Sequence, residues 1–523
     1  MQSSSNGRPE AAPAPADAPA AAPPAARRLM FWVALLYFSE GLPMGVFYDL
    51  FPVNMRQAGV SPADIGLLSL LGLAWTVKFL WAPLVDAWRR HKWWMAAANW
   101  GMAGVLAAFA MWPAALGQGE SWPWALLAAF TMLSATNDIA TDGYTIELLS
   151  KGQYGVANGL RIGFYRVGML VAGGLLVVAG YMGTPGAPDW SAAYGLGALL
   201  MVANGLVILM GPAQGSVAAA AHREEGASAR EWAALRQQPL WLVALGLVMA
   251  GLLWPVLGPV AKAAEWAAIQ AVSGTWWFKG AVPVGLMFMG AGLMVVAARG
   301  PQAKVLADGP VFGAWVDLLA RPGMLPVLLF ILLFKLGDAA MGFMVKPFWV
   351  DAGFKPEQIG LVSVNIGLGL SIAGGLVGGW YVDRVGIFKG LWVLGIAQAL
   401  SNLGYALAAW YVPHGAVAHG DVALSQQLAV YCASGLESFT GGLGSGAFLA
   451  FLMGITSKAR ATTEYAILSS IFAFSRAVAG WAGGLGVEQM GYSAFFFLTF
   501  WLSFPSYLLL PAVRRMLDRD PAR

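Results

Sequence analysis

The sequence predicts an all-α membrane protein, with two six-helix bundles flanking an inserted pair of helices, about fourteen transmembrane helices in all. Three observations support this fold class: a strongly apolar composition, a series of span-length apolar runs and a repeat between the two halves. Hydrophobic residues make up 58% of the 523 positions, charged residues only 11%, and the mean hydropathy is +0.64. Because a soluble domain carries about a quarter charged residues, this chain has too few to cover a water-facing surface.

Each apolar run approaches the roughly 20 residues that cross a bilayer as a helix. The runs lie near residues 29–50, 63–83, 93–115, 122–148, 156–181 and 191–211, then 239–260 and 275–297, then 323–348, 357–380, 387–411, 424–453, 461–485 and 490–512. They define an N-terminal bundle at 29–212, a linker with two extra transmembrane helices at 213–322, a C-terminal bundle at 323–512 and a cytoplasmic tail at 513–523. Residues 1–28 are rich in Ala and Pro, and we expect a disordered cytoplasmic tail there.

Lysine and arginine residues concentrate in alternate loops between the apolar runs. Examples are Arg89, Arg90 and Lys92 after the second run, and Arg223 and Arg230 in the central linker. The positive-inside rule then places both termini in the cytoplasm. Because topology accounts for the net charge of +4, nucleic-acid binding is not expected.

The two halves of the chain share a sequence repeat. The segment AGVSPADIGLLS at residues 58–69 aligns with AGFKPEQIGLVS at residues 352–363, at an offset of 294 residues. Each segment leads into the second helix of a half, with a proline in the first turn, where its missing N–H is not needed. Parallel repeats of six helices are the build of the major facilitator fold, which binds substrate midway across the membrane between the halves. The repeat therefore predicts this fold.

The fourth apolar run contains two carboxylates at membrane depth. Burying an ionisable group there costs at least a few kcal/mol, so it needs a partner, a water-filled cavity or a function. Asp138 and Asp142 are four residues apart and share one helical face, with Asn137 beside them. Two carboxylates this close disfavour joint ionisation, which suits a proton-coupling site. The structural alternative is that they cap loops or pair with Arg166 in the fifth run.

Further charged residues lie within apolar runs of both halves. Lys335 and Asp338 are three residues apart near the start of the second half. They could form an internal ion pair, or they could line the central cavity as separate charges. Glu40 lies in the first run, and Glu437 lies in a glycine-rich run where helices can approach closely. Glu40 and Glu437 are additional proton-coupling candidates, with helix packing as the structural alternative.

Other charged residues are expected near the cytoplasmic face. Lys78 and Glu464 are placed at helix ends, where a long side chain can reach the interface, and a structural role is favoured for both. Charges in the loops after the second helix of each half are expected to latch helices together and so to gate the cytoplasmic end. These candidate gate residues are Asp86, Arg89, Arg90, Asp383 and Arg384.

Enzyme and cofactor signatures are not convincing in this sequence. It lacks a Walker-type phosphate loop, so ATP is not expected as an energy source. The four histidines do not form a metal-binding pattern, and the single Cys432 excludes an intramolecular disulfide and a cysteine-rich metal site. We therefore expect neither a cofactor nor a metal. We expect an ion gradient to be the energy source.

Several motifs resemble those of AmpG-type permeases of the major facilitator superfamily, which are related to acetyl-CoA transporters. The resemblance covers most of residues 31–212 and 323–512. The matching motifs are KFLWAPLVD at 78–86, ATNDI at 135–139, YRVGML at 165–170, KLGDA at 335–339, SNLGY at 401–405 and the glycine run around Glu437. The resemblance implies import of anhydromuropeptides, which are peptidoglycan breakdown products, across the bacterial inner membrane by the proton motive force.

On this basis we expect a monomeric, multi-pass secondary transporter with alternating access, whose partners are a small-molecule substrate, protons and the lipid bilayer. Asp138 or Asp142 would take a proton from the periplasmic side. The inserted helix pair is expected to pack outside the twelve-helix core. The candidate residues of the substrate cavity are Asn137, Tyr144, Arg166, Lys335, Asp338 and Asn402.

Three alternatives stay open at this point. The same scaffold could carry another solute, such as a nucleotide-linked acyl carrier or an exported drug. A non-transporting membrane sensor or assembly factor is disfavoured, since a mere scaffold does not need buried charges in both halves. A membrane enzyme is the most distant alternative, and unchanged substrate mass after uptake would exclude it.

Overall fold

The computed structural model describes residues 24–78, 81, 85, 90–117, 122–148, 154–184, 187–212, 233–263, 266–300, 306, 312–414, 422–456 and 461–518. Throughout these ranges the secondary structure is helical, and the described chain contains no β-strand beyond one isolated bridge between Thr184 and Ala187. Most of the predicted N-terminal tail and part of the linker lie outside the described residues. The first helix begins at Pro24, inside the segment predicted as tail.

Six helices form the first bundle. They are α1 (Pro24–Gly45, continued by Val46–Leu50 and Phe51–Gln57), α2 (Pro62–Leu71, continued by Leu73–Val77), α3 (His91–Met111), α4 (Trp122–Leu148), α5 (Tyr154–Met182) and α6 (Trp190–Leu209). Their starts follow from local chemistry. Ser61 accepts a hydrogen bond from the backbone N–H of Asp64 and so caps α2, and Asp189 accepts one from Ala192 at the start of α6.

The inserted pair and the second bundle complete the series. They are α7 (Pro239–Ala263), α8 (Trp277–Ala281 and Val282–Ala298), α9 (Met324–Phe334 and Leu336–Asp351), α10 (Pro356–Gln358, Ile359–Ile366 and Gly367–Val385), α11 (Ile387–Tyr411), α12 (Leu424–Ile455), α13 (461–490) and α14 (492–502). Gly491 separates the last two, because its φ of 76° lies in the left-handed region that favours glycine. Short helices at Ala267–Ser273, Gly313–Ala320, Pro505–Leu509 and Leu510–Leu517 lie between or after these.

Helix lengths agree with a membrane protein that crosses the bilayer many times. Within the described ranges, ten helical stretches are long and apolar enough to span a membrane, the last of them covering both α13 and α14. The helix α2 and the first part of α7 are shorter apolar helices at predicted span positions, and α4 is a helix of 27 residues. The predicted all-α fold class is therefore confirmed, and every predicted span coincides with a helix.

The two bundles repeat the same packing. In the first, α1 packs on α5 and α3 packs on α4 and α6; in the second, α9 packs on α13 and α11 packs on α12 and α14. The halves meet along α2 against α13 and α5 against α10. Glycine allows both contacts, since a Cβ on Gly484 would lie 2.3 Å from the Pro62 carbonyl and one on Gly360 would lie 2.4 Å from that of Gly173. The space between the halves is therefore bounded by α2–α13 on one side and α5–α10 on the other.

The inserted helices pack against each other and against the seam formed by α2 and α13. Val284 and Met287 of α8 share an apolar cluster with Leu70 of α2 and Trp481 of α13. Lys279, at the start of α8, pairs with Asp64 at the start of α2 across 3.1 Å. This is a position on the outside of the α2–α13 contact, in line with the expectation for the inserted pair.

Candidate functional site

Three carboxylates from two helices of the first bundle converge in its interior. Oxygen atoms of Glu40 on α1 and of Asp138 and Asp142 on α4 all lie within 4.8 Å of one another. Lys78, just after α2, contacts Asp138 directly, and its Nζ lies 3.9 Å from Asp142. The shared helical face of the two aspartates is thus the face that meets Glu40 and Lys78. We call Glu40, Lys78, Asp138, Asp142 and Arg161 the acidic cluster.

The last member of the acidic cluster comes from α5. Arg161 lies 3.1 Å from Asp142, and the hydroxyl of Tyr37 donates a hydrogen bond of 3.1 Å to the same carboxylate. Arg166, the partner named in the structural alternative, lies more than one helical turn further along α5, half-buried and without an ion pair among the described residues. Its expected place in the substrate cavity stays a prediction. Lys78 lies at the end of α2 as predicted, where it contacts Asp138, and its structural role stays a prediction.

Charge counting shows what the acidic cluster lacks. Three ionised carboxylates against Lys78 and Arg161 leave one negative charge in a buried place. Within the described chain, Glu40 Oε2 and Asp138 Oδ1 are buried without a hydrogen-bond partner. The two carboxyl groups have oxygens within 4.8 Å of each other, and both oxygens are acceptors when ionised, so a bound proton or cation would satisfy them. The cluster is therefore suited to taking up a single positive charge.

Asn137 and Tyr144 of α4 point away from the acidic cluster. Asn137 accepts a hydrogen bond of 3.0 Å from Asn99, which in turn accepts one of 2.9 Å from Asn204, so that the amides join α4, α3 and α6. Asn99 also donates to Ser39 of α1. Tyr144 is buried among apolar side chains and donates its hydroxyl hydrogen bond to the Pro212 carbonyl. Both side chains are buried in contacts between helices, and their expected place in the substrate cavity stays a prediction.

A second polar group lies in the second bundle, at the break between the two parts of α9. Lys335 Nζ donates to Ser445 Oγ at 2.8 Å and to the Gly441 carbonyl at 3.2 Å, and it lies 3.4 Å from Asp338. Glu437 and Asp338 both face Gly441, since a Cβ there would lie 3.7 and 4.0 Å from their carboxylate oxygens. The structure thus brings Lys335, Asp338 and Glu437 together as expected. Asn402 is fully buried on α11, with neither amide atom hydrogen-bonded among the described residues.

Ion pairs between the two halves were missed by the sequence analysis. Lys346 of α9 lies 3.5 Å from Asp49 of α1 and donates to Ser363 of α10 at 2.7 Å. Arg56, at the end of α1, lies 2.6 Å from Asp351 at the end of α9. Lys346 and Asp49 are charges within apolar runs and could have been singled out for that reason. Their pairing across the halves is visible only in the fold.

Comparison with known families decides what kind of protein carries this arrangement. Residues 33–308, more than half of the chain, match the model of the Major Facilitator Superfamily. The chain belongs to the Major Facilitator Superfamily. It is therefore a multi-pass membrane transporter for a small-molecule substrate.

Individual relatives of this facilitator span nearly the whole chain. The anhydromuropeptide permease of Escherichia coli (strain K12) is 26% identical over 493 residues, which cover 92% of this chain and 79% of the relative. A Rickettsia conorii protein described as an AmpG transporter is 24% identical over 491 residues, covering 92% of this chain and 95% of the relative. The expected resemblance to AmpG-type permeases is confirmed.

Solved structures show the same fold. A POT family peptide transporter in an auto-inhibited form has a TM-score of 0.62 at 14% identity, with 94% of this chain and 97% of that chain covered. The nucleoside transporter NupG has a TM-score of 0.53 at 14% identity, with 94% and 100% covered. At this identity the likeness concerns the facilitator fold alone.

The described candidate gate residues of the facilitator, Arg90, Asp383 and Arg384, lie at the opposite end from Arg56 and Asp351. Asp86 and Arg89 fall outside the described residues, and Arg90 is exposed before α3. Asp383 and Arg384 are exposed at the end of α10, where the Arg384 guanidinium lies 4.3 Å from the centre of the Trp380 ring on its own helix. Among the described residues, no ion pair joins the halves at this end, and the gating role stays a prediction.

Proposed function

We propose that this protein imports anhydromuropeptides into the bacterial cytoplasm by proton symport. The observation that carries the coupling is the acidic cluster, which lacks one positive charge in a buried place. Support for the substrate comes from the relatives, one of which is an anhydromuropeptide permease matching 92% of this chain. The protein would act as a monomer in the inner membrane, with both termini in the cytoplasm.

Proton uptake by the acidic cluster would change which of its groups are held by the two cations. In the present arrangement Lys78 lies between Asp138 and Asp142, and Arg161 holds Asp142 from the other side. A proton shared by Glu40 and Asp138 cancels the remaining negative charge, so the electrostatic attraction between Asp138 and Lys78 weakens. Since α1, α2, α4 and α5 each supply a member, such a change acts on four helices of one bundle at once.

Alternating access would use the ion pairs between the halves. Arg56–Asp351 and Asp49–Lys346 join the bundles at the end that the positive-inside rule makes periplasmic. With no described ion pair across the other end, the arrangement corresponds to a carrier open towards the cytoplasm. Return to an outward-open state then requires both pairs to separate, while the gate residues close the cytoplasmic end.

Uptake in proteoliposomes tests the proposal. Labelled GlcNAc-anhydroMurNAc-peptide is supplied with and without an inward proton gradient, at equal sodium concentration on both sides. We expect gradient-dependent accumulation by the wild type and its loss in Asp142→Asn. Uptake that follows a sodium gradient in vesicles at equal pH, without a response to the proton gradient, would assign the acidic cluster to sodium and refute proton coupling. Absence of uptake by folded protein would refute the substrate while leaving the family membership intact.

A further inference from the structure

Arg476 is a cation near the middle of α13 that the acidic cluster does not use. Its side chain is exposed, and its guanidinium lies 5.3 Å from the centre of the Tyr48 ring on α1, in the opposite half. This contact places the guanidinium between the two bundles, beside the residue that directly precedes Asp49 of the Asp49–Lys346 pair.

The neighbours of Arg476 on both sides are anchored to other helices. Ser475 donates a hydrogen bond to the Leu332 carbonyl of α9, and Ser69 of α2 donates one of 2.6 Å to the Ala477 carbonyl. Ser475 and Ala477 are buried in these contacts. The backbone at Arg476 is thus held from two directions, which fixes where its side chain enters the cavity and reduces the entropy lost when a ligand binds.

No carboxylate among the described residues forms an ion pair with Arg476. Three acids within the helices already lie beside cations: Asp138 contacts Lys78, Asp49 lies 3.5 Å from Lys346 and Asp338 lies 3.4 Å from Lys335. A charged arginine at membrane depth without a counter-ion is costly and marks a site of function. The counter-charge is therefore expected from a molecule that enters the cavity.

Aromatic faces adjoin the guanidinium. Tyr48 lies in the π-helical turn Val46–Leu50 of α1, a kind of turn that is frequent at functional sites. Its ring stacks on Trp75 of α2, with centroids 6.3 Å apart and planes 26° from parallel. Both rings are only partly buried. A cation beside the Tyr48 ring, which itself stacks on Trp75, suits a ligand that carries an acid next to a flat apolar face, such as the face of a sugar ring.

We propose that Arg476 binds a carboxylate of the substrate's peptide, while Tyr48 and Trp75 pack against a neighbouring sugar ring. The assignment rests on the proposed function, and it adds the group that recognises the acid. A guanidinium group suits this role, because two of its coplanar N–H groups can donate parallel hydrogen bonds to one carboxylate. Arg476 is thereby a specificity-determining residue, distinct from the carboxylates that carry the proton.

A pair of ligands that differ at one group tests the assignment. GlcNAc-anhydroMurNAc-L-Ala carries one free carboxylate, that of its alanine, and its carboxamide has the same shape without the charge. Binding of both labelled compounds to purified protein is measured by equilibrium dialysis for the wild type, Arg476→Gln and Arg476→Lys. The control is Arg514→Gln, since Arg514 also lies over an aromatic ring, at 5.6 Å from that of Phe388, but on the exposed C-terminal helix.

The wild type and the control are expected to prefer the carboxylate by about 20-fold, the scale of a hydrogen bond to a charged group. Arg476→Gln should bind the two compounds equally, and Arg476→Lys should keep part of the preference. Equal binding of both compounds by the wild type overturns the role of Arg476 alone, and so does an equal loss for both in Arg476→Gln. If folded wild type binds neither compound, the proposed substrate fails and this assignment fails with it.

Discussion

Arg56 and Asp351 lie 2.6 Å apart and join the last turn of α1 to the last turn of α9. Tyr492, at the start of α14, donates a second hydrogen bond of 2.6 Å to the same carboxylate. The two helices begin the two halves of the repeat, so this contact ties equivalent points of the bundles together. About 24 Å separates Glu40 from Arg56 along α1, which puts the contact well away from the acidic cluster.

Asp351→Asn is expected to open the end of the molecule that this contact closes. The substitution keeps the shape but removes the charge that Arg56 and Tyr492 share, which weakens the closed state by about 1–3 kcal/mol. A cysteine replacing the buried Asn54, in a Cys432→Ala background, reports the change. Its labelling by a membrane-impermeant maleimide should rise about tenfold or more, whereas Asp518→Asn, an exposed acid elsewhere, should leave labelling unchanged. Unchanged labelling in Asp351→Asn would contradict a closing role.

Asp142→Asn is expected to uncouple transport from the proton gradient. The amide keeps a hydrogen-bond acceptor for Tyr37 but removes one charge from the acidic cluster, whose count then balances without a proton. Gradient-driven accumulation should fall about tenfold or more, since a charged hydrogen-bonded group is lost, while exchange of labelled for unlabelled substrate continues. Accumulation at the wild-type level would show that the coupling group lies elsewhere.

Lys78 and Asp138 are expected to be coupled in stability. Removing the cation in Lys78→Met leaves a buried carboxylate uncompensated, a loss of about 3–5 kcal/mol. Adding Asp138→Asn removes that carboxylate and should recover part of the loss. The free energies of unfolding of the wild type, both single variants and the double variant, measured in mixed micelles, give the coupling energy, expected at about 1–3 kcal/mol. Additive effects would mean that the contact contributes nothing.

Asn99→Ala is expected to weaken the first bundle without altering proton coupling. Asn99 bonds to Asn137, Asn204 and Ser39, so its loss leaves buried polar groups unsatisfied, at a cost of about 1–3 kcal/mol each. The melting temperature should fall, and the dependence of uptake on the proton gradient should persist in protein that stays folded. A lost gradient dependence at unchanged stability would instead give the amides a direct part in coupling.

Much of the fold could be predicted because hydropathy and local motifs are properties of short segments. The repeat at 58–69 and 352–363 marks the second helix of each half, and both segments do start helices whose partners match across the halves. The inserted pair was likewise visible as two apolar runs. Its contact with α2 and α13 through Met287 and Trp481 was not, since apolar side chains carry no information about which apolar neighbour they meet.

The candidate site could be predicted only in part. The spacing of Asp138 and Asp142 placed them on one face, and Glu40, Lys335, Asp338 and Glu437 were recognised as charges at membrane depth. Asn137, one residue from Asp138, faces a different helix, because adjacent residues on a helix point about 100° apart. Which face turns inward depends on how the whole helix is rotated, and a single polar stripe leaves that rotation open.

The sequence by itself determined the helices, their order, the two-fold repeat and the presence of charges that a membrane would otherwise reject. Only the tertiary structure decided the partners of those charges: Arg161 rather than Arg166 for Asp142, Lys78 for Asp138 and Lys346 for Asp49. The reason is physical. Helix formation depends on neighbours along the chain, whereas an ion pair between helices depends on the rotation and depth of both, set by packing along their full length.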